Sequence, residues 1–218
     1  MWILWIVSFA LILSGCGETT YPAISKTKNF VASVNLQAPS ISFINDKGKV
    51  FTTWKLDEGY TGATLIDHDY ILLYGYQLKK ATVYNLSTGK QEYTIATGIG
   101  ITNAIYDKKH QKVYLANGKT NRISAYFSNG KLAKTQKVGN YPMSMIIHDQ
   151  QLYIVNYKDT TLSILQTNTL KPLKEWTIEK SSNGMQIVKN KIAIRTRNYG
   201  LEVMVKVLNR TQLLISMI

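Results

Sequence analysis

From Val31 onward, one pattern of apolar and polar positions recurs along the chain. Four segments align: Val31–Ile44, Ile71–Tyr84, Val113–Tyr126 and Leu152–Leu165. Their starts are almost evenly spaced, and a fifth start, Ile192-Ala-Ile194, follows at the same interval. Each repeat opens with a short run of Val, Ile, Leu and Tyr. A polar turn comes next, then an alternating run such as Ile123-Ser-Ala-Tyr126 or Leu162-Ser-Ile-Leu165. Period-two alternation of β-branched and aromatic residues predicts pleated, half-buried strands. A turn follows at Asp46-Lys-Gly48, Ser87-Thr-Gly89, Asn129-Gly130 or Thr167-Asn168. Gly and Asn there tolerate positive φ and signal a hairpin. A further run ends most repeats: Val50–Trp54, Gln91–Ile95 and Leu173–Trp176. Between repeats lie Gly62–Ile66, Thr102–Ile105 and Pro142–Ile147, predicted as innermost strands.

Four short strands in each period of roughly 40 residues predict an all-β fold, a β-propeller of four-stranded blades with four repeats plus a partial fifth. No helix is predicted after residue 20. The propeller domain is read as residues 30–218, with the pattern degrading after about residue 198 because no turn signal falls where one is due.

Before the repeats, Trp2–Leu13 is an uncharged apolar run of twelve residues. It is too short to span a bilayer, which takes about 20, and fits the apolar region of a signal peptide. Leu13-Ser14-Gly15-Cys16 follows, and Cys16 is the only cysteine in the chain. This stretch resembles the lipobox of bacterial lipoproteins. The resemblance implies a signal peptide over residues 1–15, diacylation of the Cys16 thiol, cleavage before it, and a home on the extracytoplasmic face of the cell membrane. The basic start of a signal peptide is missing, since Met1 is followed directly by Trp2. Residues 16–29, with Gly17, Thr19, Thr20, Pro22, Ser25 and Lys26 and almost no apolar pattern, read as a flexible tether.

Val138-Gly-Asn-Tyr-Pro142, Leu152-Tyr-Ile-Val-Asn156 and Thr161-Leu-Ser-Ile164 together resemble the YVTN-type β-propeller family. Val113-Tyr-Leu-Ala-Asn117 and Val34-Asn35 match in part, whereas the second repeat has Gly75 where the motif has Asn. The physical role expected of that Asn is to bond its own turn. Members of this family usually close seven-bladed rings, about 280–300 residues at roughly 40–45 per blade. The repeats begin with the second strand of a blade. A truncated or frameshifted reading frame is therefore expected, with a complete five-bladed ring as the alternative.

Charge and chemistry change this picture little. There are 26 Lys and Arg against 13 Asp and Glu, a formal charge of +13. The basic residues are scattered over turns, which points to anionic lipid headgroups, anionic wall polymers or another surface protein, and not to nucleic acid. Gly118-Lys119-Thr120 lacks the upstream Gly of a phosphate loop and lies between strands. Asp67-His68-Asp69 falls at a polar turn that recurs in each repeat. No Gly-x-Ser-x-Gly elbow occurs. With the sole cysteine assigned to the lipid and three histidines on separate turns, no metal site, catalytic residue or cofactor beyond the covalent lipid is predicted. Trp54 and Trp176 occupy corresponding repeat positions, as packing residues would. Tyr60, Tyr141 and Asn183 lie near the starts of innermost strands and are predicted to ring one mouth of the channel. A membrane-anchored binding or scaffold module is the expected function. A lactonase-like or quinoprotein-like propeller enzyme is the alternative, resting on fold analogy.

Overall fold

A computed structural model describes residues 20–25, 29–178, 182–188, 191–196, 205–208 and 213–216. The leader and the lipobox residues Leu13, Ser14, Gly15 and Cys16 lie outside the described residues. Among the described residues the fold is all-β, and no helix is long and apolar enough to cross a membrane.

The strands form five antiparallel sheets, each an up-and-down meander. The first holds β1 (Phe30–Asn35), β2 (Ser40–Asn45) and β3 (Val50–Lys55). The second holds β4 (Gly62–Ile66), β5 (Tyr70–Tyr74), β6 (Lys80–Asn85) and β7 (Gln91–Ala96). The third holds β8 (Ile101–Asp107), β9 (Lys112–Asn117), β10 (Arg122–Phe127) and β11 (Leu132–Lys137). The fourth holds β12 (Pro142–His148), β13 (Gln151–Asn156), β14 (Thr161–Gln166) and β15 (Pro172–Thr177). The fifth holds β16 (Ser182–Val188), β17 (Lys191–Thr196), β18 (Val205–Leu208) and β19 (Leu213–Ser216). β1 corresponds to the second strands β5, β9 and β13, so the first sheet has three strands. Beyond residue 198, where the turn signal fades, β18 and β19 still pair in register with β17 and with each other.

The sheets pack in chain order through their first strands: β4 against β8, β8 against β12, and β12 against β16, with β1 against β4. Alternate residues of one strand therefore enter different cores. Ile71 and Leu73 of β5 face the first sheet, while Leu72 and Tyr74 face the third. Val113 and Leu115 of β9 face the second sheet, while Tyr114 and Ala116 face the fourth. Burial on both faces explains why these strands read as continuous apolar runs, such as Tyr70-Ile-Leu-Leu-Tyr74.

The repetition extends to irregularities. The same bulge interrupts the pairing of the last two strands in the first four sheets, at Phe43/Ile44, Val83/Tyr84, Ala125/Tyr126 and Ile164/Leu165. In the adjoining turns, Gly48, Gly89 and Gly130 take φ of +73°, +69° and +80°. In the fourth sheet Leu170 takes this place at φ +53°, with its side chain fully buried in the third core. Burial of that side chain compensates a backbone conformation that glycine would adopt freely.

One sequence expectation is corrected. Part of the predicted flexible tether, Thr20–Ser25, docks as a strap on the first two sheets. Tyr21 N donates to Gly89 O (2.9 Å) and Ile24 N to Leu86 O (2.7 Å). The Tyr21 ring stacks on Trp54 at 4.8 Å, and Trp54 Nε1 donates to Pro22 O (2.9 Å). Ile24 is 1% exposed. Only two apolar side chains carry this docking, too few to register as a pattern. Trp54 itself is fully buried in the first core, and its counterpart Trp176 is half-buried under Lys174.

Candidate functional site

The three predicted mouth residues do not come together. Tyr60 is in the first core, 4% exposed, where its hydroxyl donates to Thr82 Oγ1 at 3.0 Å. Burial pushes its phenol up to about 12. Tyrosine meets the pattern requirement at that position, but its ring fills the gap between two sheets and has no face for a ligand. Asn183 is exposed but sits inside β16, at the bulge between Ser182 and Gly184. Tyr141 is half-buried ahead of β12 at one end of the sheets.

Around Tyr141 the structure assembles groups the sequence reading passed over. The Tyr76 ring, from the β5–β6 turn, lies 6.4 Å from Tyr141, and Tyr157, from the β13–β14 turn, lies 6.4 Å on the other side. Lys119 Nζ is 5.8 Å from the Tyr76 ring centre, and Lys158 Nζ is 5.2 Å from that of Tyr141. All five residues sit on turns at the same end of the sheets. They come from four separate connections between strands, and each alone is an ordinary turn residue, so no local signal marks them.

A hydrogen-bonded lattice fixes this end. Asn121 Oδ1 accepts from Tyr141 N (3.0 Å), and Asn121 Nδ2 donates to Asn140 Oδ1 (2.7 Å). Both oxygens of Asp159 accept from Asn140, from its backbone N at 2.5 Å and from Nδ2 at 2.6 Å. Tyr157 N donates to Tyr141 O, and Lys158 N to Asn140 O. Tyr76 joins through its carbonyl, which accepts from Gly100 N, while Gly100 O accepts from Gly118 N. Thr102 Oγ1 adds a 2.5 Å bond to Pro142 O.

The repeat Asn divides in role. Asn35 Oδ1 accepts from Gln37 N and Ala38 N, and Asn117 Oδ1 accepts from Lys119 N and Thr120 N, as an Asn bonding its own turn should. Asn156 departs. Its amide Nδ2 donates to Thr161 Oγ1 and Ser163 Oγ, and its Oδ1 has no hydrogen-bond partner. Tyr157 N donates to Tyr141 O as Gly118 N does to Gly100 O in the third sheet, and Lys158 N donates to Asn140 O. Gly75, in place of the repeat Asn, is packed so closely that a Cβ would lie 2.8 Å from Leu78 Cγ.

Tyr141 holds its backbone at φ +58°. The position matching it in the third sheet is Gly100, at φ +108°. A left-handed conformation costs a non-glycine residue roughly 1–2 kcal/mol. Gly118 leaves room for the ring, since a Cβ there would stand 3.1 Å from Tyr141 Cδ2. The discarded Gly118-Lys119-Thr120 motif thus seats an aromatic ring. Burial and the neighbouring Tyr76 hydroxyl raise the Tyr141 phenol above its ordinary value, so it is neutral at physiological pH.

At the opposite end, the polar turns tie sheets together. Asp107 Oδ2 lies 2.7 Å from His110 Nδ1, and Asp107 Oδ1 accepts from the backbone N of Lys109 and His110. Tyr114 OH donates to Thr167 O at 2.6 Å, linking the third and fourth sheets. Tyr106 OH donates to Asp67 Oδ2 at 2.9 Å. Among the described residues no three His, Cys, Asp or Glu side chains are placed to hold a metal ion. A cleft of about 530 Å³ lies along the outer edge between the third and fourth sheets, and its Glu175 already accepts from Ser163 Oγ.

No family model matches the chain, and no curated protein matches it. Among solved structures it is similar to a chain of Kuenenia stuttgartiensis hydrazine synthase, with a TM-score of 0.63 and 12% identity over 75% of this chain and 52% of that one. The chain thus spans about half the length of that solved protein, and similarity at this level of identity is one of fold.

Proposed function

We propose that the chain is a lipid-anchored, extracytoplasmic binding module, its sheets the blades of a β-propeller and its ligand face the turn end around Tyr141. The propeller reading is supported by the serial packing of meander sheets through their first strands and by the hydrazine synthase neighbour, which has a β-propeller. The anchor reading rests on the apolar leader and Leu13-Ser-Gly-Cys16. The observation that carries the binding role is Tyr141, a tyrosine kept at a positive φ and locked by Asn121, Asn140 and Asp159. Backbone strain of this kind persists where surrounding structure enforces it, often at ligand sites. The tyrosines and lysines gathered there suit recognition better than acid–base chemistry at neutral pH.

The test is the intact mass of the protein extracted from native membranes. A mass equal to residues 16–218 plus a diacylglyceryl group supports the anchor. An unmodified mass retaining Met1 overturns it.

A further inference from the structure

The Tyr141 end has three properties that together define a ligand chemistry. First, Tyr76, Tyr141 and Tyr157 form a series of half-buried rings with adjacent centres 6.4 Å apart. Tyrosine combines an apolar ring with a polar rim, and a sugar ring offers the same combination: a C–H face edged by hydroxyls. Second, the exposed side chains of Lys119 and Lys158 hold their ammoniums over the Tyr76 and Tyr141 rings, on flexible stems that can swing aside to pair with a ligand's acidic groups, and among the described residues neither forms an ion pair. The adjacent carboxylate, Asp159, has both oxygens engaged by Asn140. Third, the backbone is preorganised, so binding orders few groups and loses little affinity to that cost.

We propose that this end binds an anionic glycan, with sugar rings lying against the tyrosines and their acidic groups paired with Lys119 and Lys158. This deepens the binding-module reading and rests on it. Charge alone does not account for three rings in series, and rings alone do not account for the two flanking ammoniums.

The full chain in detergent, immobilised on a sensor, would be exposed at about 0.15 M salt to four probes. Polygalacturonate carries rings and charge, and its methyl ester carries rings alone. Polyphosphate carries charge alone, and polyglutamate stands for an acidic peptide. The expected result is tightest binding of polygalacturonate, with Tyr141→Ala and Tyr157→Ala each weakening it about tenfold. Lys119→Ala and Lys158→Ala should flatten its salt dependence. Unchanged melting temperatures would show that the variants fold, and the two tyrosine variants check each other. Equal binding of polyphosphate overturns the proposal, as does binding of polyglutamate alone, insensitivity to both tyrosine variants, or no binding of polygalacturonate. The assay reads the same whether or not Cys16 is acylated, so its failure is distinct from failure of the anchor.

Discussion

Replacing Tyr21 with alanine should undock the strap. The ring stacks on Trp54 at 4.8 Å with 13° between planes and meets the edge of Tyr84 at 5.4 Å. Truncating a buried aromatic residue costs about 3–5 kcal/mol when the cavity persists. Here the strap can leave as a unit, which caps the loss at its own docking free energy: two aromatic contacts, the buried Ile24 side chain, two backbone hydrogen bonds and the Trp54–Pro22 bond. An expected destabilisation of about 3 kcal/mol corresponds to a fall of roughly 6–12 °C in melting temperature for a domain of this size. Urea denaturation of the full chain would measure it, with amide exchange at Tyr21 and Ile24 as the local readout.

Gly89 supplies an independent check. A Cβ there would fall 1.8 Å from Tyr21 O, so Gly89→Ala expels the strap as well as straining a φ of +69°. In the Tyr21→Ala background, where the strap is already gone, Gly89→Ala should cost only the strain, about 1 kcal/mol. A Tyr21→Ala stability within about 0.5 kcal/mol of wild type, or strict additivity of the two substitutions, would refute docking and restore a tether over residues 16–29.

Two further outcomes follow from burial. Leu170→Gly should relieve about 1 kcal/mol of backbone strain yet lose a fully buried leucine worth about 2–5 kcal/mol. The net destabilisation is therefore about 1–4 kcal/mol by urea denaturation, and a neutral or stabilising result would show that the turn, not the core, selects the residue. Alkali should weaken the first core. Because the folded Tyr60 phenol is pushed up to about 12 from about 10 in the unfolded chain, its contribution is complete below pH 10 and is lost as pH rises from 10 through 12. At full ionisation the loss is about 2–3 kcal/mol. Tyr60→Phe should flatten that decline, and a decline of unchanged slope would place the alkaline sensitivity elsewhere.

The strands were legible because their pattern is local and repeated. A two-residue period and Gly- or Asn-bearing turns survive in sequence even where tertiary packing varies. The strap was not legible, since Tyr21 and Ile24 lie among polar residues and gain their meaning only from Trp54 and Gly89, both far along the chain. Tyr60 misled for a related reason. It matches Tyr141 in the repeat, but the Tyr60 ring packs into the first core, against Thr82. The Tyr141 cluster escaped because its components come from separate turns. Asn156 carries the best repeat motif in the chain, and there the structure abandons the usual bond from Asn to its own turn. The backbone bond from Tyr157 N to Tyr141 O has its counterpart in Gly118 N to Gly100 O, so the two rings meet because this repeat carries tyrosines where the third carries glycines.

If Cys16 is acylated, the strap would set the orientation of the Tyr141 end. In an antiparallel meander successive turns fall at opposite ends, so the Gly89 turn that holds Tyr21 and the Tyr76 turn lie at opposite ends of β6. Tyr21 follows Cys16 by five positions, a reach of at most about 18 Å. A lipid on Cys16 would therefore hold the Gly89 end close to the bilayer and turn the Tyr141 end away from it. The exposed Lys90 beside Gly89 and the exposed Lys119 and Lys158 at the other end report this directly. In vesicle-bound protein, a membrane-impermeant amine reagent should label Lys90 severalfold less than in detergent, while Lys119 and Lys158 label equally in both. Equal protection at the two ends would mean that the strap does not set the orientation, and Tyr21→Ala should erase the difference if it does.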